Sequence, residues 1–199
     1  VCLSLAAIWF STLQNINEKK RQRMITDLHN LSLDMKLALD ASKANINDII
    51  KKFGSKYNNM FLLGKGSDEF IAKEGSLKIK EISYIHSEGY SSSSLKHGPF
   101  ALLDENFPVI IFNLDQVHKA KTLNCYQEVA SRGAPILLIS NDMTMSREVS
   151  CDIIYVPENK SYSSLLGIVP VQLLAYYLSI NKGINPDKPK NLAKVVTVE

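Results

Sequence analysis

The sequence predicts an α/β protein: a three-layer sandwich around a mostly parallel sheet, with a helical arm before it and an extended tail after it. Two patterns support this prediction. Beyond residue 60, short apolar runs typical of buried strands alternate with longer stretches of helical periodicity. Strands and helices that alternate in this way join through right-handed crossovers, which produces parallel strands. A hydrophobic content of 45% in 199 residues is enough for a substantial core.

The first 53 residues are predicted to form the helical arm. Residues 1–15 and 20–53 both have helical character, and the second stretch carries apolar side chains at helical spacing, among them Met24, Leu28, Leu31, Met35 and Leu39. The opening apolar run from Val1 to Phe10 is too short to span a bilayer and lacks the basic start of a signal peptide. We therefore expect a buried helix there and no membrane partner.

Residues 54–185 are predicted to form the α/β domain. It opens with a strand at 60–63 and a helix that runs through Glu81, followed by a strand and a loop around His97. Further strands are expected at 108–114, 135–140 and 152–156, and further helices at 116–132, 142–149 and 161–182. Pro186 and Pro189 then predict an extended exit, because proline disfavours helix in the residue before it. Residues 186–199 are the tail, which is free to reach another part of the molecule.

Composition narrows the function classes. A net charge of +3 without a concentrated basic stripe argues against nucleic acid and against a membrane surface as partners. The three cysteines are odd in number and widely scattered, which suits a reducing compartment and predicts a cytoplasmic protein. No group of histidines and cysteines has metal-ligand spacing, so we expect no metal.

The candidate active-site residues of this part of the chain lie between residues 74 and 99. Glu74, Lys78 and Glu81 are spaced i, i+4 and i+7, which puts their side chains on one helical face. Such a row is also typical of a solvated face, where exposed pairs contribute little. The loop that follows contains His97, next to Gly98 and Pro99, which impose a defined turn. A histidine held in this way can act as acid or base near neutral pH, or can simply cap backbone groups.

Three motifs in the chain carry a family resemblance: KIKEISYIHSEGY at 78–90, LKHGP at 95–99, and NLAK with VTVE in the last nine residues. With them, the chain from about residue 60 onward resembles the glutamine-dependent fructose 6-phosphate amidotransferases, also called glucosamine 6-phosphate synthases. The resemblance implies the second of two sugar isomerase (SIS) domains in the isomerase half of that enzyme, with a flavodoxin-like or Rossmann-like fold. It also implies that the helical arm links to an upstream SIS domain and that a glutaminase domain belongs to the same polypeptide.

The resemblance assigns roles to individual residues. Lys194 would form a Schiff base with the open-chain ketose, Glu81 would move a proton between sugar carbons, and His97 would help to open the ring. Glu74, Lys78 and Ala193 would support or bind the substrate. Fructose 6-phosphate and glucosamine 6-phosphate would be the ligands, without any organic or metal cofactor, and a homodimer would complete each site with His97 from the second copy.

Two departures from the family pattern lie near these residues. Val195 stands where the family more usually has serine, and Ser94 stands where many relatives have glutamate. Neither changes the three proposed catalytic positions. Without the resemblance, Lys194 is a surface lysine on a chain end, and chain ends are usually mobile. A reactive Lys194 would need a lowered pKa, which docking of its apolar neighbours in a cleft would supply by desolvation.

The turn Gly64-Lys65-Gly66 lies between a strand and a helix, where phosphate sites are often built. It lacks the third glycine of a dinucleotide fingerprint. Asp68 and Glu69 follow in the first helical turn, where they complement the helix dipole and repel an incoming phosphate. In the family the main phosphate cradle belongs to the first SIS domain, so the resemblance implies that this chain lacks it.

Two other functions remain open at the level of sequence. The chain could be an SIS module that senses a sugar phosphate without converting it, and such a module has no need of Lys194 or Glu81. It could also be a related SIS enzyme, a deglycase or a deaminating isomerase, that removes nitrogen. An upstream glutaminase domain would favour the synthase over both.

Overall fold

The computed structural model describes residues 1–14, 17–54 and 56–192 of the chain. Five parallel strands form one sheet in the order β2-β1-β3-β4-β5. Their bounds are Asn59–Gly64 (β1), His86–Ser91 (β2), Val109–Asn113 (β3), Ile136–Ser140 (β4) and Asp152–Tyr155 (β5). Strand β2 lies at one edge of the sheet. The chain adds β2 on one side of β1 and then adds β3, β4 and β5 in order on the other side. The predicted parallel α/β fold is thereby confirmed.

Five α-helices accompany the sheet: Cys2–Leu13 (α1), Glu18–Phe53 (α2), Asp68–Ser83 (α3), Lys119–Ala130 (α4) and Ser163–Asn181 (α5). The helices and strands were expected within a few residues of these bounds. One expected helix is absent as such, because residues 142–149 form only a short 3-10 helix, Met143–Arg147. Asp142 caps it by accepting a hydrogen bond from the Thr144 amide, and the sequence is too short for a regular α-helix to gain much by propagation.

Two hydrophobic cores lie on opposite faces of the sheet. Alternate residues of β1 divide between them, with Met60 and Leu62 in the first core and Phe61 and Leu63 in the second. Helices α2, α3 and α5 contribute to the first core. The second core is covered by α4 and by the segment 95–103. These two layers and the sheet between them are the three-layer sandwich.

The helical arm divides into two parts that are packed differently. Helix α2 places Leu31, Ala38, Ile46 and Phe53 in the first core, so it lies in the helical layer of the domain. Helix α1 was expected to be buried, but among its residues only Ile8 and Ser11 are. Other large side chains of α1 are exposed, including Leu3, Trp9 and Phe10, because α1 makes its main contacts with α2 alone. The role of residues 1–53 as an interdomain link stays a prediction.

Helix α3 lies close to the edge strand β2. Ser87 of the strand donates a hydrogen bond of 2.7 Å to the carbonyl of Ser76 in the helix. A Cβ atom at Gly89 would lie 2.5 Å from the backbone of Lys73, so the absent side chain permits this approach. The helix therefore runs antiparallel to the strand, and its last turn lies at the edge of the sheet where the strands begin.

Helix α5 ends at the same edge. Within the described part of the chain it is the one helix long and apolar enough to cross a membrane. Several of its side chains, Leu166, Val171, Leu174 and Leu178 among them, are buried in the first core, which accounts for its apolar composition. Beyond it the described chain continues to residue 192 through turns, with the Lys188 amide donating to the Asn185 carbonyl.

Candidate active site

The predicted charge row forms over the last three turns of α3. The Lys78 ammonium lies 2.8 Å from Glu81 Oε2 and 3.6 Å from Glu74 Oε1. Glu74 is exposed, whereas Lys78 and Glu81 are half-buried. The hydrogen bond to the Glu81 carboxylate raises the pKa of Lys78, against a smaller opposing effect of burial. Lys78 is therefore a cation that holds the Glu81 carboxylate in place, as the spacing predicts.

The exit from α5 meets the C-terminal end of α3. Tyr84, which caps α3, accepts a hydrogen bond of 2.6 Å on its hydroxyl from the backbone amide of Lys190. The Lys190 ammonium lies 5.5 Å from the centroid of the same ring. Residue 190 is thereby held at the C-terminal end of α3, the helix that carries Glu81. Sequence reasoning missed this contact, because nothing local to Tyr84 indicates a partner 106 residues away.

His97 lies elsewhere. It ends the 3-10 helix Leu95–His97 and is exposed. Leu95 of this segment is fully buried in the second core, whereas α3 belongs to the first. Glu81 and His97 of one chain therefore lie on opposite faces of the sheet. The structure brings Glu74, Lys78 and Glu81 together but does not bring His97 to them.

The histidine loop is fixed by the backbone conformation of Gly98 and by an ion pair with α4. Gly98 has φ +143°, a conformation that suits glycine. The Lys96 ammonium lies 2.6 Å from Glu128 Oε1 of α4. The predicted defined turn around His97 is present, and it presents the imidazole to solvent.

The turn after β1 contains the two acidic residues that were expected in the first turn of α3. Asp68 does not act only on its own helix: Oδ2 accepts hydrogen bonds from the amides of Leu114 and Asp115, at 2.8 and 3.0 Å. Burial raises the pKa of Asp68, and the two amide hydrogen bonds oppose that rise. Lys65 of the same turn donates to Ser93 Oγ at 2.8 Å. Asp68 and Lys65 are thus engaged in internal polar contacts.

Two of the three cysteines, Cys125 and Cys151, are poor candidates for a nucleophile. Burial raises the pKa of both Cys125 and Cys151 to about 12, so neither thiol ionises near neutral pH. In the described ranges, no three His, Cys, Asp or Glu side chains are grouped to hold a metal ion. A surface cavity of about 610 Å³, lined by residues such as Lys52, Tyr126 and Asp152, contains none of the predicted site residues. Ala193 and Lys194 lie outside the described residues, and their assignments stay predictions.

Comparison with known proteins identifies the fold and its relatives. The chain matches the SIS domain family over residues 55–182. It is 46% identical over 158 residues to the glutamine–fructose-6-phosphate aminotransferase (isomerizing) of Clostridium tetani, covering 76% of this chain and 26% of that protein. It is 38% identical over 205 residues to the same enzyme of Caldanaerobacter subterraneus, covering all of this chain and 33% of that protein.

A solved structure agrees. The chain superimposes with a TM-score of 0.86 and 31% identity on the C-terminal domain of glucosamine-fructose-6-phosphate aminotransferase from Francisella tularensis, covering 94% of this chain and 53% of that one. The chain thus spans about a quarter to a third of the curated relatives just named. The five-stranded parallel sheet, the flanking helical layers and these matches together show that the chain belongs to the SIS domain family.

Proposed function

We propose that this chain is the C-terminal isomerase portion of an enzyme that makes glucosamine 6-phosphate and glutamate from fructose 6-phosphate and glutamine. The observation that carries the proposal is the position of the Lys78–Glu81 ion pair on α3, at the same helix end that holds residue 190. The curated relatives are named for this reaction. A shared name supports the proposal only where the chain has the required groups, and Glu81 is one of them.

The chemistry asks for three groups with different tasks. The Lys194 amine would attack C2 of the open-chain ketose and release water, forming an imine. Ammonia would then replace the lysine at C2, and the lysine would leave as a free amine. The sugar would keep the nitrogen that comes from ammonia. Glu81 would take a proton from C1 and return it to C2, while the C1 hydroxyl loses its proton as the imine nitrogen gains one, so that C1 becomes the aldehyde and C2 carries the amine. The imine accepts the electrons during this transfer, so the proposal needs no metal or organic cofactor.

Covalent geometry permits Lys194 to take part. Lys190 is held at the end of α3 by the Tyr84 hydroxyl, and Lys194 follows four residues later. Four residues span at most about 14 Å when extended. An extended lysine side chain adds several ångströms more. The placement of the Lys194 amine beside Glu81 is part of the proposal.

His97 is proposed to act on the site of a second copy. Within one chain the sheet separates it from Glu81, because Leu95 packs in the second core and α3 packs in the first. A site that uses both residues consequently requires a homodimer in which the exposed histidine loop of one copy faces α3 of the other. In this arrangement the exposed imidazole of His97 would face the site of the second copy.

The rest of the reaction is assigned to upstream parts of the same polypeptide. This chain spans a quarter to a third of the relatives, which leaves room for a glutaminase domain that releases ammonia and a first SIS domain that holds the sugar phosphate. A cytoplasmic location is part of the proposal, and the three free cysteines, Cys2, Cys125 and Cys151, suit a reducing compartment.

Borohydride trapping of the full-length polypeptide with fructose 6-phosphate, followed by peptide mass mapping, tests the proposal. We expect a hexitol phosphate adduct at Lys194 in the natural enzyme and none in Lys194→Arg. Glu81→Gln serves as the matched variant: it should still be trapped, because imine formation does not require Glu81, but it should produce no glucosamine 6-phosphate. Sugar binding with an unmodified Lys194 would contradict the enzyme and would favour a sensing module.

A further inference from the structure

We propose that a cavity between the segment after β2 and one face of α4 binds a phosphoryl group, either as free phosphate or as the end of a small phosphate ester. The cavity has a volume of about 280 Å³, and its polar lining residues include Ser92, Lys96, Lys121 and Asn124. Of the described residues, none that is assigned to the sugar reaction lines it. This site is therefore separate from the proposed function and does not depend on it.

Two segments of the chain build the cavity. Ser92 follows directly on β2, and its amide donates a hydrogen bond of 2.8 Å to the carbonyl of Gly64, the last residue of β1. Lys121 and Asn124 are spaced i and i+3 on α4, so their side chains lie on one face of that helix. The cavity thus lies beyond the carboxyl ends of β1 and β2. Ligands of open parallel sheets bind on this side of the strands.

Ser92 is the observation that points to a ligand. The residue is only 5% exposed, and its hydroxyl takes part in no hydrogen bond with any other described residue. Buried polar groups are normally hydrogen-bonded. Because Ser92 lines the cavity, a partner for its hydroxyl is expected inside the cavity.

The charge of the lining favours an anion as that partner. The charged lining residues are two cations, Lys96 and Lys121, and one anion, Glu128. The Lys96 ammonium lies 2.6 Å from Glu128 Oε1, so this carboxylate is already neutralised. Lys121 is exposed and forms no ion pair with a residue that the structure describes. The cavity therefore has one positive charge in excess.

The start of α4 also favours an anion. Its first turn contains no acidic residue, and no side chain caps it. The amino end of a helix carries a partial positive charge that attracts anions. The start of α3 differs, because Asp68 and Glu69 occupy its first turn. Of these two helix starts, only that of α4 is free of carboxylates that would repel a phosphoryl group.

The hydrogen-bonding groups match a phosphoryl group. The Lys96 and Lys121 ammonium groups and the Asn124 amide supply donors, and the Ser92 hydroxyl supplies another. A phosphoryl group offers several strong acceptor oxygens, and hydrogen bonds that involve ionised groups are the strong ones. A metal cation would instead need several oxygen ligands, and Glu128 is the only carboxylate among the lining residues.

Equilibrium dialysis of the full-length polypeptide against radiolabelled inorganic phosphate tests the proposal, with potassium chloride holding the ionic strength constant. The readout is the difference between variants, since an upstream SIS domain is also proposed to hold phosphate. Lys121→Ala and Ser92→Ala should each weaken one class of bound phosphate about ten-fold. Ser94→Ala is the matched control, because Ser94 is exposed and does not line the cavity. It should bind as the natural protein does.

Competition by glycerol phosphate distinguishes the two sources of the phosphoryl group. Displacement of the label at lower concentrations than unlabelled phosphate requires would assign the cavity to a small phosphate ester. Displacement only at higher concentrations would assign it to free phosphate. Both results support a phosphoryl site.

Two results would overturn the proposal. The first is a binding curve of Lys121→Ala that coincides with that of the natural protein; this exposed substitution should leave Tm unchanged, so it decides the matter even if Ser92→Ala lowers Tm. The second is an equal loss of binding in Ser94→Ala, which would show a general disturbance of the serine segment. Formation of glucosamine 6-phosphate enters neither result, so the proposed function stands or fails separately.

Discussion

Glu81 and His97 are both assigned to sugar chemistry, but the molecule supports them in different ways. Glu81 lies on a helix of 16 residues and is held by Lys78 of the same face. His97 ends a 3-10 helix of three residues, and its segment is fixed by the buried Leu95 and by the Lys96–Glu128 ion pair. The first region is organised within one chain. The second offers an exposed imidazole on the other face of the sheet, and the proposed homodimer would bring it to the site of a second copy.

Two residues that are close in the sequence need not lie in the same site. Only 16 positions separate Glu81 from His97, yet a whole sheet lies between them. Lys190 is 106 positions from Tyr84 and contacts it directly. Glu81 and His97 are separated because the edge strand β2 lies between α3 and the histidine loop along the chain.

The largest effect should come from the region that is organised within one chain. Glu81→Gln keeps the size of the side chain and removes its ability to accept a proton, so production of glucosamine 6-phosphate should fall about 10²- to 10⁴-fold. Glu69→Gln is the control on the same helix, since Glu69 forms an ion pair of 2.7 Å with Lys73 and has no proposed role in the reaction. Similar losses in both variants, measured by product formation, would mean that Glu81 acts through charge alone.

The histidine loop should depend on its buried support for stability. Leu95 is fully buried in the second core, so Leu95→Ala should lower the free energy of unfolding by about 2 to 5 kcal/mol. His97→Ala, with an exposed side chain two residues later, should change it by less than about 0.5 kcal/mol. Denaturant unfolding monitored by circular dichroism makes the comparison. Equal effects would show that the loop does not rest on Leu95.

Subunit mixing tests whether the histidine loop is completed by a second copy. His97→Ala should reduce kcat roughly 10²-fold, and Lys194→Ala should abolish imine formation. In confirmed heterodimers of the two variants, one site would contain an intact His97 from the Lys194→Ala copy and an intact Lys194 from the other. Activity should then return in part. Heterodimers as inactive as the two parents would contradict action across the dimer.

The smallest expected effect concerns α4, on which the histidine loop rests. Lys119, the first residue of α4, contacts Asp142 at 2.7 Å, and its hydrogen bond lowers the pKa of Asp142 to about 2. A carboxylate with a lowered pKa stabilises the folded state above its unfolded value of about 3.8 and loses that contribution as the pH falls toward 2. The pair is partly exposed, so solvent screening reduces the contribution to about 1 kcal/mol.

Asp142→Asn provides the measurement for this pair. The variant should be less stable than the natural protein by a constant amount between pH 5 and 7, and the difference should shrink between pH 4 and 2. Urea unfolding across that range reports it. A difference that does not depend on pH would contradict a contribution from the charge of Asp142.

The amino-acid sequence by itself determined the strands and most of the helices, because apolar periodicity is a local property that burial on a sheet or helix face enforces. It also determined the Glu74-Lys78-Glu81 row, since side chains three and four residues apart on a helix are neighbours whatever surrounds them. The exposed face of α1 and the 3-10 helix at Met143–Arg147 were not predicted. The exposed face of α1 depends on which elements pack against that helix. The 3-10 helix depends on the cap that Asp142 provides.

Only the tertiary structure decided which distant residues meet. The hydrogen bond from Lys190 to Tyr84 depends on α3 and α5 ending at one edge of the sheet. The hydrogen bonds that Asp68 accepts from Leu114 and Asp115 depend on the junction of β1 and β3. The position of His97 opposite α3 depends on the two cores lying on different faces. Such contacts follow from the packing of whole elements, whose geometry is set by the summed burial of many side chains and leaves no local pattern in the chain.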